Sequence, residues 1–90
     1  MAHWWKKSVI VETRQSGARL VISNVERAAD YMLNGWPRFE DGKAFQAGKS
    51  ALLAAHNGRM NAEEARMAFI AALDEGDVYI FDEADHARPP

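Results

Sequence analysis

Along Ser8–Arg14, "SVIVETR", Val9, Val11 and Thr13 fall on one side of an extended chain, and Ile10, Glu12 and Arg14 on the other. After "QSGA" the alternation resumes in "RLVIS", with Leu20 and Ile22 facing one way and Arg19 and Ser23 the other. Two β-rich runs around a short loop predict a β-hairpin, and Gly17 can supply the positive φ such a loop needs. From Ser23 the period changes. Val25, Ala28, Ala29, Met32 and Leu33 recur at helical spacing behind "SNVE". That tetrapeptide fits a capping box, with Ser23 as N-cap and Glu26 reaching back. The predicted stop lies in "LNGWPRFEDG", Leu33 to Gly42: Gly35 accepts the left-handed conformation, and Pro37 forces Trp36 out of the helical region.

A second helix is predicted from about residue 43 to 57. Phe45, Gly48, Leu52 and Ala55 form its buried stripe, with Ala44 and Ala51 beside them. Gly48 in mid-helix costs about 1 kcal/mol against Ala, which points to close approach of another backbone, that of the first helix or the sheet. Gly58 is the expected C-cap. A third helix begins at N-cap Asn61, carries Glu63 and Glu64 in its first turn, and buries Ala65, Ala68, Phe69, Ala72 and Leu73. Gly76 is expected to end it. "DVYIF", residues 77–81, is rich in strand formers and predicts a third strand, which a marginal two-stranded hairpin needs. The fold class is therefore α+β: an N-terminal hairpin, then three helices packed on one face of a small antiparallel sheet, then a strand near the C-terminus. One domain spans residues 1–81, and 82–90 read as a disordered acidic tail. The sheet's uncovered face, with Ile10 and Val21 among its residues, is only partly polar and suits contact with another subunit.

Composition narrows function mainly by exclusion. Ninety residues support one domain with a thin core and little room for a deep pocket. A net charge of −2 gives no bulk attraction to nucleic acid or anionic lipid. The charge is uneven: residues 1–38 carry six Lys/Arg and three Asp/Glu, residues 61–90 two and eight, which reads as a solvated acidic end. With no cysteine, disulfides, thiolate catalysis and cysteine-ligated zinc are excluded. No apolar run nears the roughly 20 residues that span a bilayer, and "MAHWWKKSVIV" lacks the features of a secretory signal, so a cytoplasmic location is expected.

Candidate chemistry is sparse. No serine sits in a nucleophile-elbow context, no glycine-rich phosphate loop exists, and the adjacent pairs Glu40-Asp41 and Glu63-Glu64 cannot face each other across a substrate. No catalytic residue is assigned, and the protein is not expected to be an enzyme. His3, His56 and His86 are far apart and lack ligand-spaced partners, so no metal site or cofactor is expected. The acidic cluster of Asp74, Glu75, Asp77, Asp82, Glu83 and Asp85 lacks the spacing of a calcium loop. Trp4-Trp5-Lys6-Lys7 joins aromatics to cations, but four residues are a poor footprint for single-stranded nucleic acid. Trp36 suits either an interface anchor or a lid folded back on the helices. "RFED", Arg38 to Asp41, is not required by the helix stop, and Arg66, beside the third helix's apolar face, is expected to pair with Glu63 or to reach Glu40 or Asp41. Trp36, Arg38, Phe39 and Arg66 are accordingly the interaction candidates.

"SNVERAADYMLNGWP", "GKAFQAG" and "NGRMNAEEARMAFIAALDEG", in that order, resemble a small bacterial family catalogued as domain of unknown function 982. The resemblance runs from about Trp5 to Gly76, and its most specific parts are the Trp-Pro step and Glu63–Ala71. It implies a fold and a size but no activity, cofactor or catalytic residue. The expected function is thus a small cytoplasmic binding protein whose partner is another protein or a second copy. The alternatives are a weak small-molecule binder or enzyme accessory using loop 36–41, and, less favoured, a single-stranded nucleic-acid binder.

Overall fold

The N-terminal alternation becomes a hairpin in a computed structural model, which describes residues 3–15, 17–38 and 40–82. Strand β1 (Trp4–Glu12) pairs antiparallel with β2 (Arg19–Asn24), and Gly17 in the connection has φ 82°. Val9, Val11 and Ile22 point into the core, as the alternation requires. β1 is longer than its alternating run because Trp4 and Trp5 belong to it. Its pairing is interrupted: Trp4 lies opposite Asn24 and Val9 opposite Ile22, so five steps of β1 span two of β2. Across this wide bulge the main chain of Lys6 and Lys7 finds partners outside β2.

Helix α3 (Ala62–Glu75) supplies those partners. The Lys6 amide donates to Glu63 Oε2 (3.0 Å), and Arg66 Nε donates to the Lys7 carbonyl (3.0 Å). Arg66 is thereby drawn into the interior, at 8% exposure. Strand β3 (Ile80–Asp82) closes the sheet on the other side of β1, in the order β2-β1-β3, all antiparallel. The expected strand at 77–81 is thus shorter and later. Asp77 and Val78 are consumed by the end of α3: their amides donate to the carbonyls of Asp74 (3.2 Å) and Leu73 (2.9 Å), a Schellman cap. The expected tail, apart from Asp82 at the end of β3, lies outside the described residues.

Helix α1 (Val25–Asp30) continues into a π-helical turn, Tyr31–Gly35. Four expectations change here. The N-cap is Asn24, whose side chain accepts from the Arg27 amide (2.7 Å), and not Ser23, which is followed by one more extended residue. Glu26 does not close a capping box; its carboxylate is held by two histidines. The inward place expected of Leu33 goes to Tyr31, because the Tyr31 ring packs on Trp36 and Phe69 while its hydroxyl donates to the Glu12 carbonyl (2.7 Å). Gly35 is not left-handed; the chain leaves the helix at Trp36, at φ −61° and ψ 126°, the extended conformation that Pro37 imposes.

Helix α2 (Lys43–His56) buries Phe45, Gly48, Ala51, Leu52 and Ala55 and ends in a second Schellman cap with Gly58 at φ 78°. Gly48 lets two backbones meet, as its cost implied, but the neighbour is α3: a Cβ there would stand 3.1 Å from the Ala68 carbonyl oxygen. The start of α2 has no cap of its own. Instead the Glu75 carboxylate, from the last turn of α3, accepts the amides of Ala44 (3.0 Å) and Phe45 (3.1 Å). A side chain at Gly42 would collide with that carboxylate. At this same end of α3, Gly76 ends the helix as expected, at φ −85°, and the left-handed position falls to Asp77, at φ 56°. The helices cover one face of the sheet, and the core between them includes Trp5, Val11, Met32, Phe45, Phe69 and Leu73.

Candidate functional site

The interaction candidates separate in space. Trp36 is a core residue at 1% exposure, with its ring against Tyr31 (centroids 5.6 Å) and Phe45 (4.9 Å). Arg38 is exposed and ties the loop to the sheet: it pairs with Glu12 Oε2 (2.6 Å) and donates to the Asp77 carbonyl (3.2 Å). The same Glu12 oxygen accepts the Tyr79 amide (2.9 Å). Phe39 lies outside the described residues. Arg66 is at the opposite end of α3 from this loop, about 13 Å away along the helix axis by residue count. Its Nε bonds the β1 bulge, and this distance along α3 separates Arg66 from Arg38, Glu40 and Asp41. Arg38 and Asp41 instead share a cleft of about 300 Å³ with Gly42, Glu75 and Gly76.

A different constellation forms at the other end of the molecule. His3 precedes β1, Glu26 is in the first turn of α1, and His56 is the last residue of α2. Both imidazole Nδ1 atoms lie 2.7 Å from Glu26 Oε2, and the second carboxylate oxygen accepts the His3 amide (2.9 Å). An ionised carboxylate only accepts, so both Nδ1 atoms act as donors here. The His3 carbonyl in turn accepts the Val25 amide (3.0 Å), which fixes His3 to the start of α1 by two main-chain bonds. Burial pulls the Glu26 carboxyl upward, but hydrogen bonds from the His56 ring and from the His3 amide and ring pull it further down, to about 2. Beside the cluster runs a groove of about 270 Å³ between α1 and α2, lined by Ala29, Asp30, Leu33 and Leu53 with Glu26 and His56 at its end.

Chain spacing gave no warning of this cluster, because His3 and Glu26 meet through strand register. With the regular pairing of Val9 and Ile22 continued, Lys7 and not Trp4 would lie opposite Asn24; the bulge pulls the chain before it back to the start of α1. His86 lies outside the described residues.

The third feature is the sheet's open face. Trp4, Ile10 and Glu12 of β1, Arg19 and Val21 of β2, and Phe81 of β3 alternate away from the buried side. The Arg19 guanidinium lies 4.2 Å from the Phe81 ring centroid, and Tyr79 meets Phe81 edge to face at 4.8 Å. Trp4, Val21 and Tyr79 are each at least half exposed.

Fold and surface together define a class: a small α+β domain whose three helices cover one side of a three-stranded antiparallel sheet and, among the described residues, leave the other side open. Among the described residues no helix is long and apolar enough to cross a membrane. The chain belongs to the family described as "Protein of unknown function (DUF982)", whose model matches residues 7–80. No curated protein and no solved structure matches it. The family match contains Glu26, His56 and, of the open face, Ile10, Glu12, Arg19, Val21 and Tyr79; His3, Trp4 and Phe81 lie outside it.

Proposed function

We infer that the protein is a non-enzymatic binding module that associates through the open face of its sheet, with a second copy of the chain as partner. The observation that carries this reading is the composition of that face: Val21, Ile10, Tyr79 and Phe81 form an apolar and aromatic stripe with Arg19 stacked across it. Aromatic residues and Arg are the types that dominate binding energy at interfaces, and a one-layer sheet leaves them in water. A two-fold contact would set this stripe against itself and bury it twice. The carboxylates nearest the loops support a non-catalytic reading, since Glu12, Glu63 and Glu75 each accept main-chain amides. Three short strands offer less than the roughly 800 Å² per partner of a standard interface, so the association is weak and reversible. Light scattering behind size-exclusion chromatography tests it. Wild type is expected to gain mass with concentration, and Val21→Glu to remain monomeric with an unchanged circular dichroism spectrum. A strict monomer at high micromolar concentration contradicts the reading.

A further inference from the structure

We propose that His3, Glu26 and His56 form a binding site for one divalent transition-metal ion of the zinc class, joining the chain ahead of β1 to the start of α1 and the end of α2. One imidazole nitrogen from each histidine and one carboxylate oxygen lie within 4.8 Å of one another. Imidazole nitrogen and carboxylate oxygen are the ligand types that suit Zn²⁺, and with no cysteine in the chain they are the strongest ligands it has. Metal–ligand bonds of about 2.0–2.2 Å in tetrahedral geometry place ligands roughly 3.3 Å apart. The two contacts of 2.7 Å to Glu26 Oε2 therefore need to open by only about half an ångström, a small rotation of partly exposed rings.

The arrangement is fixed before any ion arrives. The His3 amide holds Glu26 Oε1 and leaves Oε2 for a single metal bond. The His3 carbonyl is bonded to the Val25 amide, so the ring is presented from a tethered backbone and not from a free end. His56 comes from the last turn of α2, and the two rings stand edge to face with centroids 6.0 Å apart. On binding, each ring turns the Nδ1 lone pair to the ion and carries its one proton on Nε2: a neutral Nδ1–H ring shifts that proton to Nε2 by exchange with water, and an imidazolium ring releases its Nδ1 proton to solvent. Three protein ligands leave a fourth position for water. The inference is independent of the open sheet face, which shares none of these three residues.

The test uses the full chain without an affinity tag. Zn²⁺ is titrated calorimetrically into wild type, His56→Ala and Glu26→Gln, with circular dichroism to check that each variant is folded. Wild type is expected to bind one ion per chain at low micromolar concentration and to melt at a higher temperature with Zn²⁺ present. Each substitution is expected to weaken binding by about tenfold or more. Co²⁺ in place of Zn²⁺ should give the intense visible absorption of a four-coordinate ion in wild type and lose it in His56→Ala. No binding to wild type, or binding that survives unchanged in both variants, overturns the proposal.

Discussion

Asp77 holds the left-handed position of a Schellman cap where the sequence offers glycine one residue earlier. A non-glycine side chain there costs about 1 kcal/mol or more, and a carboxylate at a helix C-terminus also opposes the helix dipole. Asp77→Gly is therefore expected to stabilise the fold by about 1 kcal/mol in urea unfolding, since the Arg38 bond goes to the main chain and survives. A loss of stability would show that the side chain has a further role. Tyr31 gives the pH dependence. Burial, and then the nearby Glu12 carboxylate, push its phenol far above the ordinary value, against a smaller opposing effect of Arg38. A folded value above the unfolded one means that the contribution is complete below about pH 10 and is lost as pH rises beyond it. Tyr31→Phe should cost about 1 kcal/mol at neutral pH through the lost bond to Glu12, and that deficit should shrink in alkali. A deficit constant across that range contradicts the assignment.

At the scale of elements, the helices were legible because their stripes and start signals are local. Asn61, Gly58 and the face of α2 all stand where the pattern puts them. What was illegible came from partners distant in sequence. Ser23 and Asn24 compete for one cap, and the choice depends on how far β2 runs beside β1. The first turn of α2 looks uncapped because its cap, Glu75, belongs to another helix. That bridge gives the next prediction. Glu75→Ala should cost about 1–2 kcal/mol by exposing the first amides of α2. Gly42→Ala should be destabilising in wild type and nearly neutral in Glu75→Ala, because the collision is with the Glu75 carboxylate. Additive losses in the double variant would refute the contact.

Over the whole molecule, the loop that the sequence singles out proves to be a joint. Trp36 enters the core, Arg38 clamps Glu12 and Asp77, and Gly42 makes room for Glu75. Arg66 was noticeable as a charge on an apolar face, but its use could not be read without the bulge whose carbonyl it satisfies. The histidine cluster was hidden for the same reason. The open face was legible in part, since Ile10 and Val21 alternate outward, whereas the Arg19–Phe81 stack needs β3 to be placed beside β1. Association through that face is the central claim, and amide spectra recorded over a dilution series test it most directly. The claim predicts concentration-dependent shifts confined to Trp4, Ile10, Arg19, Val21, Tyr79, Phe81 and their neighbours. Spectra that do not change on dilution, or shifts clustered on α1 and α2, would contradict it.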